Sequence, residues 1–228
     1  MIDSLFHLSL HQLRKTAPVV HCITNYVAMD LTANALLAVG ARPIMSAAPA
    51  EMDELAQVTD ALLINIGTLD DTLVQAAQIA GRAMSRLGKP IVLDPVGVQV
   101  SHYRLQAALT IINTCHPIVV KGNQSEMEVL LRQITQPTFV AVTTGKKDTI
   151  IAANRQEQLE GGSELMTQVT AMGCTAGAMI AAMAAIEPDP FLASCYAMRL
   201  MKEAGANAQT TVGLGTFRQR FIDYLSHV

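Results

Sequence analysis

Gly173-Cys174 leads directly into Thr175-Ala-Gly-Ala-Met-Ile-Ala-Ala-Met, a stretch with helical character whose first turns are nearly all small residues. The first backbone N–H groups of a helix have no intrahelical acceptor, and with the helix dipole they form an anion site. Glycine at that point removes the side chain that would hold a phosphate away. Such donors suit the charge that builds on a transferring phosphoryl group. At the first turn, the dipole would also favour the thiolate of Cys174. A buried cysteine ahead of a packing helix of small residues explains the same pattern.

Two carboxylates extend the list. Asp94 follows the apolar run Ile91-Val-Leu93 and precedes Pro95, which holds it at the end of a strand. Glu126 stands three residues after Asn123, at the start of a helical pattern. Asn-x-x-Glu is a capping-box pattern; a pair of carboxylates near a nucleotide also suits Mg²⁺. The spacing leaves both readings open.

These residues need a scaffold, and the chain alternates short β-branched runs with longer helical patterns. Strands are expected at Val19–Ile23, Pro43–Ser46, Leu62–Ile66, Ile91–Leu93, Ile118–Val120 and Phe139–Val142. Helices are expected at Ala28–Val39, Glu51–Gln57, Asp71–Leu87, Arg104–Thr114 and Ser125–Arg132. This rhythm implies a largely parallel sheet with helices on both faces. Thr149–Ala153 and Gln156–Glu160 read as an antiparallel hairpin, followed by helices over Thr175–Ile186, Phe191–Ala208 and Phe217–Ser226. Pro188 and Pro190 separate the first two of these helices. No linker, repeat or low-complexity tract interrupts the chain, so residues 1–228 are read as one domain.

In open parallel sheets ligands bind beyond the carboxyl ends of the strands. Polar or glycine-bearing groups follow nearly every strand here: Thr24-Asn25, Met45-Ser46, Asn65-Ile-Gly67-Thr68, Asp94-Pro-Val-Gly97, Lys121-Gly-Asn123 and Thr143-Thr-Gly145. Any one of these is an ordinary turn composition. Six on one edge point to a shared cleft.

Bulk composition excludes other classes. The net charge is −3 with no basic stripe, which argues against nucleic-acid binding. Half the residues are hydrophobic and aromatics are few, so the core is aliphatic and methionine-rich. The longest apolar run, Ala176 to Ile186, falls short of the roughly 20 residues that cross a bilayer. Met1 to Lys15 reads as an amphipathic helix rather than a leader, and the four cysteines form no CxxC pair. A cytoplasmic protein with free thiols, not associated with membranes, is expected. There is no GxxxxGK[ST], no GxGxxG after the first strand, no HExxH and no GxSxG.

Seven segments in order resemble the hydroxyethylthiazole kinase family, thiamine-salvage enzymes of the ribokinase-like superfamily. They are Val20-His-Cys-Ile-Thr-Asn-Tyr-Val27 with Thr32-Ala-Asn-Ala-Leu-Leu-Ala-Val-Gly-Ala41, Asn65-Ile-Gly-Thr-Leu69, Leu93-Asp-Pro-Val-Gly97, Lys121-Gly-Asn-Gln-Ser-Glu126, Val142-Thr-Thr-Gly145, the Gly-Cys pair, and Gly213-Leu-Gly-Thr-Phe217. The resemblance implies a three-layer α/β/α ribokinase-like fold with a largely parallel central sheet. It implies transfer of phosphate from Mg-ATP to the hydroxyl of 4-methyl-5-(2-hydroxyethyl)thiazole, in a homotrimer whose sites lie at subunit interfaces. By position, Asn25, Met45, Gly67 and Ala171 would line the thiazole pocket. Lys121, where the family commonly has Arg, and Thr144 would contact ATP. Asp94 and Glu126 would serve Mg²⁺. Ala171 to Cys174 would form the anion hole, with Gly173 and Cys174 at the reacting centre.

Three departures from the family pattern stand out. Ala171-Met172 replaces the usual Gly-Thr before Gly173-Cys174, which restricts φ and removes a hydroxyl. A helix of the pattern is absent between Glu126 and Phe139. Asp30 and Gln99-Val-Ser101 also differ. Two further readings follow from these: a kinase of a related small heterocyclic alcohol, or a nucleotide- or thiazole-binding protein with little turnover.

Overall fold

Strand β3 (Ala61–Asn65) is buried along its whole length, and so is β4 (Ile91–Asp94). That is the signature of a parallel strand covered on both faces. Side chains alternate across β3. Ala61 and Leu63 join one hydrophobic cluster, while Leu62 and Ile64 join the other. The structure, a computed structural model, describes the backbone of residues 2–228 and the side chains from residue 5 onward.

Among the described residues the sheet has eight strands in the order β2-β1-β3-β4-β5-β6-β7-β8. The others are β1 (Val19–Ile23), β2 (Arg42–Met45), β5 (Val119–Asn123), β6 (Val140–Thr144), β7 (Asp148–Ala152) and β8 (Arg155–Leu159). The first six are parallel, and β7 and β8 are the expected antiparallel hairpin. The register pairs Cys22 with Met45, Asn65 with Asp94, and Asn123 with Thr144. The carboxyl ends of the parallel strands therefore finish along one edge.

One face carries α1 (Ile2–Thr16), α2 (Met29–Ala38), α7 (Met172–Ala184), α8 (Pro190–Asn207) and α9 (Leu214–His227). The other carries α3 (Met52–Val58), α4 (Asp71–Arg86), α5 (His102–Cys115) and α6 (Gln124–Leu131). The three-layer architecture matches the expectation from sequence. Of the expected N-terminal amphipathic helix, Met1 lies outside the described residues. No helix among those described is long and apolar enough to cross a membrane.

Helix starts follow local chemistry. Asp70, Ser101 and Asp189 cap α4, α5 and α8 with their side chains, and Asn123 with Glu126 forms a full capping box on α6. The small residues of α7 let it lie directly on the sheet. A Cβ added at Gly177 would stand 3.1 Å from Leu63 Cδ1.

The structure refines several expectations. α7 starts at Met172, not Thr175, because Ala171 adopts φ 75° and Thr175 N–H bonds back to the Ala171 carbonyl at 2.8 Å. Gly173 and Cys174 thus lie inside the first turn rather than before it. α9 begins at Leu214, three residues earlier than expected, and short 3₁₀ turns occur at Pro49–Glu51 and Glu164–Thr167. Between α6 and β6 the chain runs through residues 132–139 without a helix, as the sequence implied.

Candidate active site

Four strand ends and the first turn of α7 are joined by one chain of hydrogen bonds. Asn25, just past β1, is buried and folds its side chain back on its own loop, accepting from Ala28 N–H at 2.9 Å. Its amide nitrogen donates to Asn65 Oδ1 at 2.9 Å and to Cys174 Sγ at 3.2 Å. Asn65, the last residue of β3, also accepts from Gly67 N–H at 3.0 Å and donates to Asp94 Oδ2 at 2.9 Å. Lys121 on β5 donates to that same Asp94 oxygen at 3.2 Å and to the Gly173 carbonyl at 2.9 Å. Gly67 is required by space: a Cβ there would lie 2.8–2.9 Å from three atoms of Asn25.

The first turn of α7 has no side-chain cap. The N–H groups of Met172, Gly173 and Cys174 precede the first intrahelical bond, so they have no helical acceptor and are open to an anion. Ala171 holds the left-handed conformation without being glycine, at a cost of about 1 kcal/mol. Met172 is buried in the core beneath this turn.

Burial dominates the electrostatics. Asp94 is fully buried, and desolvation pushes its carboxyl up to about 6 against the pull of Lys121, with Glu126 adding to the rise. Burial alone would pull the Lys121 ammonium down, but Asp94, Cys174 and Glu126 outweigh it and hold its pKa above the ordinary value. The cost of burial falls on Asp94, whose side chain is wholly enclosed and keeps one oxygen, Oδ1, without a partner. Burial and the Asp94 charge also push the Cys174 thiol up, despite Lys121 and the Asn25 amide. The helix dipole expected to favour its thiolate is therefore outweighed.

Glu126 performs its capping role and reaches further. Oε2 accepts from Asn123 N–H at 2.8 Å, and Oε1 accepts from Gly97 N–H at 2.9 Å, which ties the β4 loop to the start of α6. No group of three or more His, Cys, Asp or Glu side chains suited to a metal occurs among the described residues.

On the other side of Gly173 opens a cleft of about 1000 Å³, bounded by Asn123, Thr144, Gly145, Met172, Gly173 and Lys202. Thr144 Oγ1 donates to the Gly122 carbonyl at 3.3 Å. Lys202 on α8 binds the turn between β6 and β7, donating to the Gly145 and Lys146 carbonyls and pairing with Asp148 Oδ2 at 3.3 Å.

The residues anticipated from sequence thus fall into distinct places. Asn25, Gly67, Asp94, Lys121, Gly173 and Cys174 meet in one cluster, and Glu126 joins it through Gly97. Thr144 faces the cleft. Met45 stands at the end of edge strand β2, partly buried, and Ala171 sets the turn before α7. Lys121 is turned inward and almost wholly buried. Sequence reasoning missed Asn65 as a connector and Arg104 altogether. Asn65 carried a signal, a polar residue inside a strand that is otherwise apolar and buried.

The hydroxyethylthiazole kinase family model matches residues 10–139 and 132–228. The chain belongs to the hydroxyethylthiazole kinase family. A hydroxyethylthiazole kinase from Leptospira biflexa serovar Patoc is 39% identical to it, across 95% of this chain and 90% of that protein. The structure of the hydroxyethylthiazole kinase protein from Pyrococcus horikoshii OT3 aligns with a TM-score of 0.92 at 32% identity, across 99% of this chain and 94% of that one. A ribokinase-like superfamily protein from Enterococcus faecalis V583 shares the fold, with a TM-score of 0.69 at 18% identity, across 92% of this chain and 86% of that one. The two matched stretches of the hydroxyethylthiazole kinase family meet at residues 132–139, where α6 passes into β6 without an intervening helix.

Proposed function

We propose that this protein transfers the γ-phosphoryl group of ATP to the side-chain hydroxyl of 4-methyl-5-(2-hydroxyethyl)thiazole, in thiamine salvage. The observation that carries the reading is the placement of Gly173. One side of it opens on a cleft large enough for a nucleotide, and the other side is joined to the Cys174–Asn25–Asn65 network.

In this reading Asn25, Met45, Gly67 and Ala171 shape the thiazole pocket, Thr144 meets the nucleotide, and the N–H groups of the first α7 turn receive the transferring phosphoryl. Lys121 serves ATP from below, holding the Gly173 carbonyl so that those donors face the cleft. The hydroxyl oxygen forms the new bond to phosphorus while the bond to ADP breaks. Alignment and anion binding supply most of the rate, and the hydroxyl proton leaves late in a loose transition state. The raised pKa of Cys174 leaves little thiolate at neutral pH, which suits positioning more than proton abstraction.

The residues present fit a hard, oxygen-seeking cation. Asp94 Oδ1 is buried without a partner, and each Glu126 oxygen accepts one N–H and keeps a second lone pair. Asp94 and Glu126 would hold Mg²⁺, which when bound neutralises phosphate charge.

The same reading includes a cytoplasmic homotrimer with sites at subunit interfaces. Tyr26 and Val27, 72% and 63% exposed beside the buried Asn25, support an interface there. Light scattering on purified protein tests the assembly. An ADP-release assay with the thiazole alcohol tests the reaction, and no release above the ATP-only blank would refute it. Buried Met172, in place of a hydroxyl-bearing residue, favours a second reading in which the acceptor is a related heterocyclic alcohol. That reading fails if, in a panel of thiazole and pyrimidine alcohols, the thiazole is clearly preferred.

A further inference from the structure

Arg104 lies in the first turn of α5, outside the cluster described above. Ser101 fixes that turn by accepting from the Arg104 backbone N–H at 3.3 Å. Among the described residues the guanidinium pairs with no carboxylate. It donates instead to three backbone carbonyls: Ile66, Val96 at 3.0 Å and Gly67 at 3.0 Å. Two of these belong to the loop after β3 and one to the loop after β4. A planar fork with five N–H donors can span two loops in this way, whereas an ammonium cannot match the spacing.

The carbonyls matter because of what the same loops carry. Gly67 donates its N–H to Asn65 Oδ1 and packs so closely on Asn25 that a Cβ would collide. Asn25 in turn reaches Cys174. The β4 loop is gripped from its other side by Glu126 through Gly97 N–H, and a Cβ at Gly97 would stand 3.3 Å from Arg104 Cδ. The turn that bounds the nucleotide cleft is held by separate groups, Asp148 and Lys202.

We infer that Arg104 is a positioning residue for the alcohol side of the site, acting through Gly67 on Asn25 and leaving the nucleotide side alone. The kinetic part of this inference rests on the proposed kinase reaction; the structural part does not.

The test compares Arg104→Met and Arg104→Lys with the unmodified protein. Amide hydrogen exchange should rise at least tenfold at Gly67 and at Ala28, whose N–H is accepted by Asn25, while Gly145 keeps its rate. In steady state, KM for the thiazole alcohol should rise at least tenfold with KM for ATP within twofold, and Arg104→Lys should fall between Arg104→Met and the unmodified protein. If Arg104→Met does not fold, Arg104→Lys is read by the same criteria. The inference is overturned if Ala28 exchange is unchanged, if Gly145 rises in parallel, or if both KM values move together. Should the unmodified protein not phosphorylate the alcohol, the proposed reaction fails while the exchange data still decide the role of Arg104.

Discussion

The amide nitrogen of Asn25 is shared between Asn65 Oδ1, at 2.9 Å, and Cys174 Sγ, at 3.2 Å. It ties the ends of two strands to the turn that begins α7, and in the proposed reaction it couples the alcohol side of the site to the phosphoryl side.

Replacing Asn25 with alanine removes that donor and the acceptor of Ala28 N–H. The buried groups left unpaired should cost about 1–3 kcal/mol, seen as a lower urea midpoint. Turnover should fall more than tenfold. Unchanged turnover would show that the shared amide does not position the site.

Asp94 makes the site sensitive to acid. Its carboxyl titrates near 6 where the unfolded chain titrates near 4. The folded state holds that proton more tightly, so this group favours folding fully below about pH 4 and loses that contribution as pH rises through 6, about 3 kcal/mol in all. Activity runs the other way, because the charged form is the one that pairs with Lys121. In the metal-free protein a carbon-13 carboxyl titration should place Asp94 near 6, and in the Mg-ATP assay the rate should fall at a lower pH, because the cation's charge favours the carboxylate. A midpoint near 4 would contradict this.

Much of the site could be read from sequence because its residues follow strands, and strand ends in a parallel sheet must share an edge. Asp94 and Gly173-Cys174 stood out for that reason. The capping pattern of Asn123 and Glu126 was equally plain, although its link to Gly97 was not. Hydrogen bonds between residues far apart in the chain leave no spacing signal, which hid the clamp of Arg104 on Gly67 and the bridge of Asn65. For Cys174 the sequence allows either a thiolate favoured by the helix dipole or a buried thiol, and the burial that decides for the second depends on how the layers close. The early start of α7 was missed because alanine rarely adopts the left-handed turn that Ala171 takes.

Lys121 and Asp94 form a buried ion pair. Lys121→Met leaves a buried carboxylate without its cation and should cost about 3–5 kcal/mol. It should also raise the Asp94 midpoint further. A loss below 1 kcal/mol would mean that the pair contributes little.

Cys174→Ser keeps the backbone donors of α7 and should retain measurable turnover, within about a hundredfold of the unmodified protein. Complete loss with an unchanged fold would make the thiol the essential base.

Lys202→Ala releases the β6–β7 turn and leaves Asp148 without its cation. KM for ATP should rise severalfold while KM for the alcohol stays put. Equal changes in both would place Lys202 outside the nucleotide side.

The phosphoryl transfer can be observed directly. Phosphorus-31 NMR of the protein with Mg-ATP and 4-methyl-5-(2-hydroxyethyl)thiazole follows it atom by atom. Transfer should give a new phosphate-monoester resonance that grows in step with ADP and couples to the methylene protons beside the former hydroxyl. ADP accompanied only by inorganic phosphate, or no change in the spectrum, would contradict it.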